Sequence, residues 1–350
     1  MENIKKLVIM LLFSVIVLST LNSEHYVYAI QYINNIKPIN VAVFFDNEDA
    51  MYISRLKGCL EDIEAKNKNK VNFTYFNAKD NQSIQNESIE KALNLNFDVF
   101  IIGLVSQNLK DVENTLGRVM EKNIPIILNP DPSREIVNFM RPYGKFVVVG
   151  ADFEQSGTME GNILVNEWKT SQSAIDKNKD NTLQYIMLKG RIGSPLTSLR
   201  TKYSISALNN EGIKTEELTE INCEWLEECA KSSIESVFLK YGDKIEAIIS
   251  NNDAMAIGAI KALQKYGYNN DNKEKIIPVV GIDGMPEAKE FIQKGYMLGT
   301  VVVEPCDLAE ALYNIGMNLA AGKSPVKDTN YKLDETGYTV HLLYKEYEKE

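Results

Sequence analysis

Ile248-Ile-Ser-Asn-Asn-Asp-Ala-Met-Ala-Ile-Gly258 decides how the chain is read. It opens inside a short apolar run, Ala247-Ile-Ile249, breaks at the polar triplet Asn251-Asn-Asp253, and continues into Ala254–Gln264, whose apolar residues recur at helical spacing. A run apolar at every position suits a strand covered on both faces. Such a strand, followed by a surface helix, is half of a βαβ unit. The alternation recurs outward in both directions. Further runs are Asn40–Phe45, Val99–Ile102, Pro125–Leu128, Phe146–Val149, Tyr185–Leu188 and Pro278–Ile282, and helical patterns lie at Ile53–Ala65 and Ser83–Leu95. An α/β fold with mostly parallel sheets is expected, and 350 residues leave room for two domains.

Open parallel sheets bind ligands beyond the carboxyl ends of their strands. The residues just past each run are therefore the candidates: Asp46–Tyr52, Gly103, Asn129, Asp152, Lys189–Arg200, Asn251–Asp253 and Asp283. They are amides, carboxylates and an arginine. No nucleophile elbow, Walker loop or glycine-rich dinucleotide turn follows any strand. The two histidines are His25 and His341, too few for a histidine triad or a zinc site. The chain does not read as an enzyme. Amides and carboxylates make paired hydrogen bonds to vicinal hydroxyls, and aromatic faces cover apolar sugar C–H surface. Tyr52 and Trp225 are candidates for that stacking, and Trp225 also suits a core aromatic.

The net charge of −10 argues against nucleic acid and anionic lipid as partners. Lys5 and Lys6 precede an apolar run from Leu7 to Leu21, and a short polar stretch ends in Val27-Tyr-Ala29. This is the pattern of a secretory signal over residues 1–29, cleaved after Ala29 or retained as an anchor. No cysteine near it offers a lipid attachment point. The protein is expected to work outside the cytoplasmic membrane. Of the four cysteines, Cys223 and Cys229 are able to pair in an exported chain, and Cys59 reads as a core residue. The segment Lys177–Lys179 and the polar tail after Asp328 read as loop or surface.

A second motif lies at Asp176-Lys-Asn-Lys-Asp-Asn-Thr-Leu-Gln184. Oxygen-bearing residues alternate at Asp176, Asn178, Asp180, Thr182 and Gln184, matching positions 1, 3, 5, 7 and 9 of an EF-hand loop for Ca2+. Asn181 takes the sharp-turn position and tolerates left-handed geometry. Met187 stands where the loop's closing glutamate belongs, so the last carboxylate must come from elsewhere. The same residues also suit a solvated turn.

The stretch 248–258, with Val280-Gly-Ile-Asp-Gly-Met-Pro-Glu-Ala288, resembles the type I periplasmic binding proteins, and within them the glucose/galactose-binding proteins. That likeness takes in the 176–184 loop, Leu188-Lys-Gly-Arg-Ile-Gly193 and Gly212-Ile-Lys-Thr-Glu216, and runs from about Ile39 to Tyr344. It implies two Rossmann-like lobes with a three-segment hinge near Gly150, Glu304 and Asn330. The lobes would be 37–149 plus 306–329 and 150–305 plus 330–345. The likeness also implies that Glu246 supplies the missing carboxylate to the calcium loop. It makes Tyr52 and Trp225 the stacking aromatics, and Arg200, Asn252 and Asp283 hydroxyl-binding residues, with Asp307 where the family has an asparagine. Ala50, Gly103, Ser194 and Leu196 replace polar sugar contacts of the family; apolar Leu196 suggests a ligand lacking that hydroxyl, or a smaller one such as a pentose, and also permits a cleft that binds no sugar tightly. The implied role is that of a monomeric binding protein delivering a monosaccharide to an ABC permease by hinge closure. The alternative is a co-receptor of the same fold for a membrane sensor kinase.

Overall fold

The computed structural model describes residues 37–129, 132–272 and 275–349; the signal or anchor expected at 1–29 lies outside them. Strands β1 (Ile39–Phe45), β2 (Val71–Asn77), β3 (Val99–Ile102), β4 (Ile126–Leu128) and β5 (Phe146–Ala151) alternate with helices α1 (Met51–Lys66), α2 (Gln82–Ala92), α3 (Leu109–Glu121) and α4 (Arg134–Met140). The chain then crosses into a second lobe. There α5 (Phe153–Ile175), α6 (Pro195–Asn210), α7 (Glu227–Tyr241), α8 (Asp253–Lys265) and α9 (Pro286–Lys294) alternate with β6 (Thr182–Lys189), β7 (Lys214–Asn222), β8 (Ala247–Ser250), β9 (Val279–Ile282) and β10 (Gly299–Val302). It crosses back for α10 (Pro305–Ala320) and β11 (Thr339–Leu342), and finally again for β12 (Lys345–Glu348).

Two six-stranded sheets result, ordered β11-β5-β4-β3-β1-β2 and β12-β10-β9-β8-β6-β7. All pairings are parallel except β10 with β12. The central strands β3, β4, β8 and β9 are buried along their whole length, because helices cover both faces. Asn81, Asn108, Ser133, Asp152 and Asn252 cap the helices that follow them, each accepting a backbone N–H with its side chain. Here the two-lobe α/β architecture expected from the sequence is realised.

Three expectations need correction. The last crossing is not near Asn330: residues 339–342 pair with β5 in the first sheet, and the chain returns to the second lobe only between β11 and β12. The tail after Asp328 is not merely loop and surface. It supplies one of the two edge strands of each sheet, and Thr339, Val340, Leu342 and Tyr344 are buried. Short strands of mixed polarity with one face on the core carry little apolar signal, which is why they read as surface. Cys59 is not a free core residue: it is bonded to Cys306, joining α1 to the start of α10. Cys223 and Cys229 are also bonded, so no cysteine is free among the described residues.

The Cys59–Cys306 bond closes a separation of 247 residues, so it restricts the unfolded chain strongly. Replacing both by serine is expected to lower stability by about 2–4 kcal/mol, read as a lower midpoint in thermal or urea unfolding. Unchanged midpoints would show that the bond does not form.

Candidate ligand cleft and metal loop

Between the lobes lies a cavity of about 150 Å³. An apolar cavity of about that size holds a single benzene ring, so the space suits one six-membered ring. The first lobe contributes Asp46, Ala50, Met51, Tyr52, Asn129 and Leu308 to its wall; the second contributes Leu196, Arg200, Trp225, Asn252 and Asp283. Of the residues singled out from the sequence, Tyr52, Arg200, Trp225, Asn252 and Asp283 thus share one cleft. Asp307 does not join them. It is exposed on the first turn of α10, and its neighbour Leu308 faces the cavity instead. A one-residue offset on a helix turns the side chain through about 100°, enough to take it out of the cleft. Ala50 and Leu196 line the wall, Ser194 lies in an adjoining groove, and Gly103 is in neither lining.

Arg200 is the electrostatic centre. It lies on α6, buried, and donates from Nη1 to the Asn251 carbonyl at 2.7 Å. The same nitrogen stands 3.6 Å from Asp283 Oδ1, and Nη2 reaches the Tyr344 hydroxyl at 3.5 Å. Arg200 Nε is buried without a hydrogen-bond partner among the described residues. Burial pushes Asp283 up to about 7, against the opposing pull of Arg200 and with the help of Asp253. Asp253, on the first turn of α8, rises to about 6 through burial, restrained by hydrogen bonds from Thr300 and from the backbone of Met285 and Gly284. Glu160 on α5 is fully buried within reach of Arg200, and burial raises its carboxyl well above the usual range. Asp283 also has φ +127, a rare backbone state for a residue with a side chain; such outliers cluster at ligand sites.

Other polar groups are already engaged. Asn252 accepts from Met255 N–H at 3.0 Å and donates to the Trp225 carbonyl at 3.2 Å, so it caps α8 and ties down the Trp225 turn. Asn129 donates to the Val149 carbonyl at 2.5 Å. Tyr52, half-buried at the start of α1, has its ionisation suppressed by burial, by Asp283 of the second lobe and by Tyr344 on the last crossing. Phe153 and Tyr344 line the cavity but were not singled out from the sequence. Both follow chain crossings, and Tyr344 would have been visible as a residue just past a strand had β11 been read.

Arg191 closes the mouth. From the loop after β6 it reaches across to the first lobe, bonding Asp46 Oδ2 at 3.2 Å and Asp80, with Glu224 Oε2 3.9 Å away on its own lobe. Burial raises Asp46 despite the Arg191 charge. Arg55 adds a second contact between lobes, its Nη1 3.9 Å from Met285 Sδ.

A second site lies where α5 ends. Asp176 caps the helix C-terminus, and Asn181 has φ +60, the left-handed state expected at the sharp turn. Asp176 accepts from the N–H groups of Asp180 and Asn181 at 3.1 and 3.0 Å, and Asp180 accepts from Thr182 N–H at 2.8 Å. Glu246 bridges the two ends of the loop, accepting from Lys177 N–H at 2.8 Å and Gln184 N–H at 3.1 Å. The side-chain amides of Asn178 and Gln184 both donate to Asp180 Oδ2 at 2.9 Å. Rotating each amide by half a turn would present oxygen instead of nitrogen. Asp176, Gln184 and Glu246 are buried, and burial raises the Glu246 carboxyl. Among the described residues no three His, Cys, Asp or Glu side chains gather closely enough to hold a metal by themselves. The donor set is all-oxygen and fits a hard cation only with the amides and the Thr182 carbonyl included.

The periplasmic binding protein domain model matches residues 41–324. The chain belongs to the periplasmic binding protein family. It is 32% identical over 299 residues to the D-galactose/methyl-galactoside binding periplasmic protein MglB of Haemophilus influenzae, covering 85% of this chain and 86% of that one. Among solved structures it resembles a galactofuranose binding protein (TM-score 0.72, 18% identity, 89% and 94% of the two chains). It equally resembles an ABC transporter solute binding protein from Actinobacillus succinogenes with bound D-allose (0.72, 19%, 89% and 98%). At these identities the structural likeness is one of fold. This binding protein has no helix among its described residues long and apolar enough to cross a membrane.

The ordinary value for Asp283 is 3.8 and the folded one about 7. Between these, the folded state holds a proton that the unfolded state has lost, so stability falls as pH rises through that window and the loss is complete above it. Unliganded protein is expected to melt lower at pH 8 than at pH 6, and Asp283→Asn to flatten the difference. A profile equally steep in the variant would place the titration on another group.

Proposed function

We propose that the chain is an extracytoplasmic binding protein for a single monosaccharide, closing its two lobes on the ligand and presenting the closed form to a membrane permease of the ABC type. The observation that carries this is the convergence of Tyr52 from one lobe with Arg200, Trp225 and Asp283 from the other on one ring-sized cavity. Arg200 donates to sugar oxygens, Asp283 accepts from hydroxyls once ionised, and Trp225 offers a face for C–H surface. Ligand contacts on both lobes favour the closed arrangement by their differential affinity for it. The relatives named above bind galactose or other sugars by their names, and MglB is the closer guide because it is 32% identical to this chain, against 18% and 19% for the two solved structures.

Ala50 and Leu196 favour a sugar that presents apolar surface where a galactose-type site has polar partners, because a buried hydroxyl left unpaired costs about 1–3 kcal/mol. One observation favours the second reading, a sensing co-receptor for a membrane kinase. Arg191 bridges the lobes through protein carboxylates, Asp46 and Asp80, which gives closure a contribution independent of the sugar.

A thermal-shift panel of glucose, galactose, xylose, ribose and arabinose tests the ligand. A sugar at about 100 times its Kd adds about 2.7 kcal/mol of stability, and Trp225→Ala is expected to weaken that sugar's binding by about tenfold or more, about 1.4 kcal/mol. A flat panel would remove the transport reading and move the co-receptor reading ahead.

The 176–184 loop with Glu246 is proposed to hold Ca2+, with Asp176, Asn178, Asp180, Gln184 and Glu246 donating through side chains and Thr182 through its carbonyl. The ion would neutralise buried carboxylates and fix α5 to β6. Chelation is expected to lower the melting temperature of wild type, and Asp180→Ala to remove that sensitivity. A melt indifferent to EDTA, with no calcium in the purified protein, would leave the loop a plain turn.

A further inference from the structure

The bonded pair Cys223 and Cys229 encloses Glu224-Trp225-Leu226-Glu227-Glu228. Within this ring Glu224 has φ +51 and Trp225 φ +70. Side chains disfavour the left-handed region, and two such residues in succession, one of them tryptophan, persist only when the surroundings leave no alternative. The restraints are visible. Cys223 is buried in the second lobe, and its N–H donates to the Lys189 carbonyl at 2.9 Å. Leu226 N–H returns to the Cys223 carbonyl at 2.8 Å, and Asn252 holds the Trp225 carbonyl. The indole lies so close on Gly190 that a Cβ there would come within 2.1 Å of it. The disulfide anchors the far end of the turn to the first turn of α7. This conformation sends two side chains to two tasks: Trp225 to the cavity wall, and Glu224 toward Arg191, the residue that bridges to Asp46 and Asp80.

We propose that the Cys223–Cys229 disulfide is a positioning pair that sets ligand affinity. By closing the turn it holds Trp225 against the ligand and Glu224 beside Arg191, and its reduction loosens the cleft wall without unfolding either lobe. Reduction needs a dithiol: the reductant supplies two electrons and two protons, leaving two protein thiols and a disulfide on the reductant. Affinity is thereby tied to the redox state of the exterior. The affinity part of this rests on the ligand reading of Trp225; the conformational part does not.

The test compares wild type, C223S/C229S and, as a control for loss of a staple elsewhere, C59S/C306S. Each is made in a W168F background, which leaves Trp225 as the sole tryptophan; if W168F does not fold, the difference between each protein and its W225F derivative isolates the same signal. Acrylamide quenching of Trp225 is expected to rise at least twofold in C223S/C229S, and in wild type treated with dithiothreitol, with far-UV circular dichroism unchanged. Dissociation constants are measured for whichever sugar of the panel shifts the melt, and are expected to rise at least tenfold in C223S/C229S; in C59S/C306S, whose bond fixes the helix that carries Tyr52 and not the Trp225 turn, quenching of Trp225 stays unchanged. Unchanged quenching in C223S/C229S overturns the proposal, as does alkylation of Cys223 and Cys229 as free thiols in the unreduced, denatured protein. Raised quenching with no sugar bound by wild type sinks the ligand reading and the affinity claim with it. Unchanged quenching alongside normal sugar binding sinks the positioning claim alone.

Discussion

The chain passes between its two sheets three times, after β5, after β10 and after β11, and every other feature of the cleft depends on that. Parallel strands all end on the same side of a sheet, so three crossings at strand ends force the carboxyl ends of both sheets toward one gap. The groups that gather there are those a buried strand cannot use along its length. Arg200 shows the consequence. A buried guanidinium needs compensating partners, and it draws them from the strand ends around it: the Asn251 carbonyl after β8, Asp283 after β9 and Tyr344 after β11.

The lobes meet around the cleft. Apolar contacts around the crossings account for much of this: Ala151, Val303, Leu308, Leu342 and Tyr344 belong to one buried cluster that runs from the first sheet into the second. Arg191 adds a charged bridge at the cleft mouth, where it is about one-fifth exposed. Partly exposed ion pairs are worth little each, so Arg191 biases closure without locking it. A ligand that binds the closed form then gains by not having to close it.

How much of this was legible follows from where the apolar signal lies. β3, β4, β8 and β9 are buried on both faces and read directly as apolar runs, and the polar residues just past β8 and β9 pointed to Asn252 and Asp283. β2 and β7 are edge strands and less buried than the central ones, and β7 in particular reads Lys-Thr-Glu-Glu-Leu-Thr-Glu-Ile-Asn, with no buried residue, no run and little alternation. β11 and β12 are four residues each and polar on one side, so the last crossing was placed too early and Tyr344 was missed. Asp307 rests on the family likeness alone, and one position on a helix is enough to point it outward. Neither disulfide partner of Cys59 nor the left-handed turn at Trp225 leaves a mark in local sequence, because both depend on residues brought together by the fold.

Hinge closure asks for stiff lobes and soft joints, and the covalent and polar fastenings are distributed accordingly. Cys59–Cys306 joins two helices of the first lobe, α1 and α10; Cys223–Cys229 closes a turn of the second. Glu246 and Asp176 pin the end of α5 to the start of β6, also within the second lobe. None of these spans the cleft. Across it, among the described residues, run the three backbone crossings, apolar contacts, the Arg191 and Arg55 contacts and the Lys289–Glu304 ion pair at the second crossing, all of which can rearrange without breaking a covalent bond. The stiffening of α1 bears on the ligand as well as on stability. Tyr52 sits on its first turn and Cys59 two turns further along, so the staple that fixes α1 against α10 also fixes the first-lobe wall against which any ligand must close.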